Sequence, residues 1–405
     1  MKVVIYFLIG IFSMSVFGVQ NLSMQCTYWF KASNGSQTEM IKLINISQQE
    51  CYENAFSDYK TNIGNNFLEL IIEYVNSDGS VTRSTFKGNI SNIYTSEFGD
   101  FTVEKIGRNF LFRPGVNCKY RSPFLIRVPE NLVIGPNNKN RILVIPNNTG
   151  KTIDDPEETL QLTLNTLNQN LFQYSDFNNI IILQPVFPRE KSYWEIYTHA
   201  LDRDTFLTEI PRFKRLDLQL LAMIDDAKKW LAGGEIINQI NTYDKFLMMG
   251  FSASAMFTNR FSTLHPEYIR AAIFGSPGGW PIIPHETYNA EKLRYPIGID
   301  DLKDIAGIKF NRHEYAKVPM FYYLGDQDIN DSIPFRDGYE PEDEELIFKL
   351  FGDTPVKRWD ISNELLRTGE GNLLSRLYPG VGHTITKEIN EDISDFIIKY
   401  RDGIE

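Results

Sequence analysis

The sequence predicts an α/β protein: a mostly parallel sheet flanked by helices, preceded by a small β-rich domain. Three observations carry this. From residue 119 to 405, strand-length apolar runs alternate with helical stretches, the pattern of a parallel sheet with crossover helices. Residues 19–118 instead hold short alternating runs separated by turn clusters. At Tyr243–Trp280, a strand, a sharp turn bearing a serine, a helix and a second strand follow one another.

Composition sets the outer bounds. The chain has 405 residues, with 42% hydrophobic and 23% charged, which is ordinary for a globular protein of two or three domains. A net charge of −11 argues against binding to nucleic acid or an anionic membrane surface, because phosphate would be repelled. Residues 1–18 read as a secretory signal peptide: one lysine, an apolar core from Val3 to Phe12, then small residues. That core is too short to span a bilayer comfortably. Cleavage is expected after Gly18, leaving a secreted or periplasmic chain with no membrane span. Cys26, Cys51 and Cys118 all precede residue 120. An exported chain allows one disulfide and one free thiol, and all three pairings stay open. No Cys/His spacing matches a metal site. Sequons occur at Asn21, Asn34, Asn45, Asn89, Asn147 and Asn330. A glycan at Asn147 or Asn330 would block the site proposed below, so the sequons point only weakly to a eukaryotic route.

In the β-rich domain the strand-like runs are Cys26–Phe30, Thr38–Ile46, Phe67–Val75, Ser80–Phe86, Phe101–Ile106 and Asn109–Phe112. Asn76–Gly79, between two of them, is a hairpin signal. In the main domain the strands are expected at Pro123–Val128, Arg141–Pro146, Ile180–Val186, Lys245–Met249, Ala271–Gly275, Pro319–Leu324 and Ser375–Tyr378. Helices fit at Glu157–Leu171, Leu216–Leu231, Ala255–Leu264 and Asp392–Tyr400. Two insertions, Ile297–Lys317 and Asp337–Gly371, are suited to a lid or pocket wall. The acidic run Glu340–Glu345 reads as a helix start rather than a calcium loop: proline and acids in the first turn, then apolar residues, then Gly352 as a stop.

The chemistry centres on Gly250-Phe251-Ser252-Ala253-Ser254, a serine on a tight strand-to-helix turn. Its usual form, G-x-S-x-G, has glycine where Ser254 stands. The strand Pro319–Leu324 leads into Gly325-Asp326-Gln327-Asp328, and the last strand leads into Tyr378-Pro379-Gly380-Val381-Gly382-His383. Serine, acid and histidine then follow in the chain order of an α/β-hydrolase. Of the five histidines, only His383 combines a strand end, a flanking glycine and this order. His265 ends a helix, His285 and His313 lie in loops or insertions, and His199 is a candidate for lining the pocket. Asp326 is expected to turn the chain and Asp331 to face solvent or cap a turn. The oxyanion hole needs two backbone N–H donors. Ala253 is expected to give one and Asn148, in Asn147-Asn148-Thr149-Gly150, the other.

Over roughly residues 120–400 these motifs resemble the α/β-hydrolase family. They look most like the secreted esterases related to polyhydroxybutyrate depolymerases and feruloyl esterases. GFSAS resembles that branch's serine turn, GDQDINDSIP its acid loop and YPGVGH its histidine loop. The resemblance implies a Ser252, Asp328, His383 triad and hydrolysis of a small-molecule or polymeric ester, with no cofactor or metal. It also implies that Ser276–Pro281 helps shape the pocket. Ser254 and the lack of a His-Gly oxyanion motif depart from the branch, and the β-rich region is not covered. The alternatives are a serine peptidase of the same fold and an inactive hydrolase fold used for binding.

Overall fold

The computed structural model describes residues 25–32, 40–44, 51, 54–55, 67–75, 81–87, 93–115, 117–234, 239–367 and 373–402. The expected signal peptide, its cleavage point, the turn at Asn76–Gly79 and the sequons at Asn21, Asn34, Asn45 and Asn89 lie outside these residues. The chain divides into two compact units, Met1–Ser91 and Asn92–Glu405.

In the first unit, β1 (Gln25–Ala32), β2 (Ile41–Ile44), β3 (Phe67–Val75) and β4 (Val81–Lys87) form an antiparallel sheet in the order β2-β1-β3-β4. Val75 pairs with Val81, as the hairpin signal requires. Cys26, Tyr28 and Phe30 alternate along β1 and are buried. Cys26 is disulfide-bonded to Cys51, and Cys118 is a buried free thiol in the second unit.

The second unit is built on one ten-stranded sheet. Its strands are β5 (Ile93–Ser96), β6 (Gly99–Ile106), β7 (Asn109–Pro114), β8 (Phe124–Arg127), β9 (Ile142–Val144), β10 (Ile181–Pro185), β11 (Phe246–Phe251) and β12 (Ile269–Gly275). A separate hairpin, β13 (Thr287–Tyr288) and β14 (Glu291–Lys292), intervenes before β15 (Met320–Gly325) and β16 (Leu373–Tyr378) complete the sheet. The order is β16-β15-β12-β11-β9-β10-β8-β7-β6-β5. From β10 to β16 every pairing is parallel, and from β10 to β5 every pairing is antiparallel. With helices on both faces and a serine turn after β11, this is an α/β-hydrolase fold.

The sequence places the domain boundary at residue 118, whereas β5, β6 and β7 pair in series onto β8 and extend the main sheet. Antiparallel hairpins alternate in the same way whether they stand alone or edge a larger sheet. Their texture therefore does not reveal which sheet they join.

Neighbouring residues on the central strands point to opposite faces, and both faces are buried, which is why these strands read as unbroken apolar runs. Leu247, Met249, Ile273 and Phe321 pack with Ile389, Ile393 and Phe396 of the last helix, Lys387–Arg401. Met248, Ala272, Phe274 and Tyr322 pack with Met256, Phe257 and Phe261 of the helix Ala253–Leu264. Each leucine, isoleucine, methionine or phenylalanine among them contributes roughly 1.5–3 kcal/mol by leaving water. Every residue of Ala253–Leu264 is buried. Its Ser262 and Thr263 hydroxyls donate to the carbonyls one turn back, so they need no water. The insertion Asp337–Gly371 contains the helices Pro341–Phe351 and Trp359–Leu366. Glu340 and Asp343 form a capping box on the first, as the helix-start reading expects. Among the described residues no helix is long and apolar enough to cross a membrane.

Candidate active site

β11 ends at Phe251 and the next helix begins at Ala253, so Ser252 alone makes the turn. Its φ of 60° and ψ of −130° put a non-glycine residue in a sparsely populated region, a strain on the order of 1–3 kcal/mol. Backbone bonds hold it there. The Ser252 N–H donates to the Gly275 carbonyl at 3.1 Å, and its carbonyl accepts from Ala255 and Met256. A Cβ on Gly250 would stand 2.0 Å from the Ser254 carbonyl oxygen, so only glycine fits this crossing. Ser254 does more than keep the space small. Its hydroxyl donates to the Phe251 carbonyl at 2.8 Å and accepts the Phe251 N–H at 3.0 Å.

Asp328 lies three residues beyond the end of β15 and is buried. Its carboxylate oxygens stand 2.9 and 3.2 Å from Nδ1 of His383, and Oδ1 also accepts the Asn330 N–H at 2.9 Å. Burial pushes this carboxyl up, but the hydrogen bond from His383, the Asn330 N–H and the Ser276 hydroxyl outweigh it. The result lies below the ordinary carboxylate value. A Cβ on Gly325 would lie 2.1 Å from the Val381 carbonyl oxygen, so this glycine lets the histidine loop rest on the end of β15. Gln327 donates to that carbonyl at 2.9 Å, and Asp326 accepts the Gly380 N–H at 2.7 Å. Asp326 thus stitches the acid loop to the histidine loop. The His383 ring lies against Phe251, with centroids 4.7 Å apart. Phe251 adjoins Ser252, so the serine turn, the acid and the imidazole meet at the C-terminal ends of β11, β15 and β16.

Ala253 is the first residue of its helix, where N–H groups have no partner one turn back. The loop after β9 is fixed by Asn147, whose side chain donates to the Phe187 carbonyl at 2.9 Å and accepts its N–H at 3.0 Å. Asn147 is buried, so the folded chain cannot carry a glycan there; Asn330 is exposed. Asn148 reaches the Phe251 carbonyl with its amide at 3.5 Å, which brings the loop to the serine turn.

His199 is sequestered rather than lining a pocket. It is fully buried, its Nε2 lies 3.0 Å from the Phe187 carbonyl, and burial pulls its pKa down to about 4. His265 pairs with buried Asp217 at 2.9 Å, but Asp217 also binds Arg215, and the pair lies past the far end of the helix that follows Ser252. Asp331 caps a turn by accepting the Ile333 N–H at 3.3 Å. It does not face solvent: its carboxylate is 9% exposed and lies 2.8 Å from the Arg358 guanidinium, which is 1% exposed.

The sequence assigned no structural role to Phe251 or Arg358, and marked Asn147 only as a sequon. Their roles depend on partners distant in the chain, His383 for Phe251, Phe187 for Asn147 and Asp331 for Arg358, which no local pattern encodes. Within Ser276–Pro281, Ser276 has φ 43° and supports Asp328, whereas Trp280 is wholly buried against Phe351, with ring centroids 3.9 Å apart. Loops after β10 and β15 enclose a cleft of about 560 Å³ lined by Trp194, Asp202, Asp204, Tyr339 and Glu340 among others. The Tyr339 hydroxyl reaches Sδ of Met256, one turn after Ser252, at 3.5 Å. Among the described residues no group of three or more His, Cys, Asp or Glu is placed to hold a metal.

No protein-family model matches the sequence, and no curated protein matches it. Solved structures do resemble it. A poly(aspartic acid) hydrolase from Sphingomonas is similar at 17% identity with a TM-score of 0.46, over 69% of this chain and 92% of that one. An S-formylglutathione hydrolase from Agrobacterium tumefaciens is similar at 12% identity with a TM-score of 0.40, over 75% and 99% of the two chains. A carboxylesterase from Bacillus cereus is similar at 13% identity with a TM-score of 0.36, over 68% and 93%.

Proposed function

We propose that this chain is an exported serine hydrolase that cleaves carboxylic esters through an acyl-enzyme on Ser252. The observation that carries the reading is the His383 imidazole. Its Nδ1 is bound to a buried, ionised Asp328 while its ring lies on the residue before Ser252. That arrangement fixes the tautomer with Nε2 as the base. Ser252 Oγ attacks the ester carbonyl as Nε2 takes its proton. The oxyanion is met by the N–H groups of Ala253 and Asn148, each donor being worth about 3–4 kcal/mol in such sites. Collapse expels the alcohol, which takes the proton back from the imidazolium. Water, deprotonated by the same Nε2, then attacks the acyl carbon, releases the acid and restores Ser252. Asp328 stabilises the imidazolium in both steps and remains ionised.

A fluorophosphonate probe tests the nucleophile. Wild type should be labelled and Ser252→Ala should not; absent labelling, or labelling that survives the substitution, overturns the assignment. Turnover of short 4-nitrophenyl esters against aminoacyl anilides separates esterase from peptidase. Export rests on residues 1–18, so the mature exported protein should begin near Val19 by mass spectrometry.

A further inference from the structure

Three aspartates sit on the acid loop, and the catalytic reading uses only one. Asp326 is half-buried and held by the Gly380 N–H. Asp328 and Asp331 are both withdrawn from water, three residues apart. Two carboxylates close together in a poorly solvated loop oppose each other's ionisation. Asp328 has to stay ionised to hold His383. We propose that Arg358, brought in by the insertion Asp337–Gly371, is a positioning residue of the catalytic pair: it neutralises Asp331, so that Asp328 alone acts electrostatically on His383. The proposal rests on the serine-hydrolase reading above.

The geometry supports it in several ways. Arg358 Nη2 lies 2.8 Å from Asp331 Oδ2 in an ion pair without hydrogen-bond alignment, Nη1 donates to the Gly352 carbonyl at 3.2 Å, and Nε has no hydrogen-bond partner. A guanidinium buried with so few hydrogen bonds is poor value for stability, since apolar replacements of buried ion pairs are often neutral or stabilising. Its position is the informative part. Asp331 also caps Ile333, and the neighbouring Ser332 donates both its N–H and its hydroxyl to the Gly278 carbonyl. The ion pair therefore ties the insertion to the acid loop, and Ser332 ties the same loop to the segment after β12 that contains Ser276.

The other titratable groups around the pair do not replace it. Tyr322 and Tyr339 face Arg358, but burial pushes both phenols up, so they are neutral at working pH. Asp353 also faces Arg358, but it is exposed and paired with Lys357 at 2.7 Å. Asp328 itself faces His383, Ser276 and Asp331.

The test reads the acid limb of kcat/KM against pH on one 4-nitrophenyl ester, where activity is lost as the imidazole is protonated. A positive charge left unopposed at the acid loop disfavours the imidazolium and moves the limb to lower pH. A negative charge, or an aspartate that titrates in this range, moves it to higher pH. Asp331→Asn should therefore shift the limb down and Arg358→Leu should shift it up, each by about half a pH unit or more. The double variant should return to the wild-type position, and Arg358→Lys, which keeps the charge, should stay close to it. Shifts in the same direction, no shift, a double variant that stays displaced, or Arg358→Lys behaving like Arg358→Leu would each overturn the proposal. If Arg358→Leu does not fold, Asp331→Asn, the double variant and Arg358→Lys still decide it. Fluorophosphonate labelling of Ser252 in the same proteins separates the two ideas. An unlabelled wild type refutes the hydrolase reading, and full labelling with unmoved limbs refutes only the role of Arg358.

Discussion

Replacing Ser254 with glycine would restore the usual serine-turn motif, and the structure predicts that it damages this protein. The Ser254 hydroxyl closes the turn with two hydrogen bonds to Phe251, one donated and one accepted. Each contributes about 0.5–1.5 kcal/mol net, so removing both costs roughly 1–3 kcal/mol. Glycine in the first turn of a helix adds about 0.5–1 kcal/mol of backbone entropy that alanine does not. Stability should therefore fall in the order Ser, Ala, Gly, with Tm lower by roughly 3–6 °C for the glycine variant. The effect should also reach the chemistry. Phe251 carries the ring on which His383 rests, and Ser252, strained at φ 60°, is the next residue in the chain. Scanning calorimetry measures the first effect, and the rate of fluorophosphonate labelling the second. A Ser254→Gly variant as stable as wild type, labelled as fast, would show that the hydroxyl is incidental and that the argument from these two bonds fails.

Asp328→Asn should lower turnover at least ~10²-fold, because an amide cannot stabilise the imidazolium and favours the wrong tautomer. Asp326→Asn should cost less than ~10-fold, since its carbonyl oxygen can still accept the Gly380 N–H; steady-state kinetics on one activated ester compares them. His199 is held neutral with its pKa pulled from 6.5 to about 4. The unfolded chain then binds a proton that the folded chain does not, so stability is full above pH 6.5 and falls by roughly 3 kcal/mol as pH drops to 4. His199→Gln should flatten that part of a urea-denaturation profile against pH. Burial pushes the Cys118 thiol up to about 11. Iodoacetamide should therefore modify one cysteine only after unfolding, and the Cys26–Cys51 pair only after reduction as well; modification of Cys118 in the native protein would contradict its burial.

The parts that were legible in the sequence share a cause. A central parallel strand is buried on both faces, so β9, β10, β11, β12 and β15 appear as apolar runs at nearly their true bounds. The serine turn was legible because strand and helix must nearly touch, which restricts Gly250 to glycine and leaves a fixed short spacing. Chain order and strand ends pointed to an acid in this loop as the partner of His383, and the resemblance to the esterases picked out Asp328. The texture before residue 118 does not tell which sheet β6 and β7 join, because pairing partners are not written locally.

Arg358 shows the deeper limit. It lies in a segment that reads as an insertion, 27 residues beyond Asp331 in the chain, and nothing near it in sequence marks it as buried. Asp331 on its own reads as one more loop acid, for which solvent is the ordinary destination. Only the tertiary approach of the two turns an exposed-looking acid into a buried charge, and a buried charge beside Asp328 has consequences that an exposed one does not. Screening by water would mute an exposed Asp331; a buried one meets Asp328 and Arg358 through a poorer screen. The insertion is thus tied through Asp331 to the loop that carries Asp328, the proposed catalytic acid. A change in how it packs, even far from Ser252, should register as a shift in the pH profile before it registers as a loss of fold.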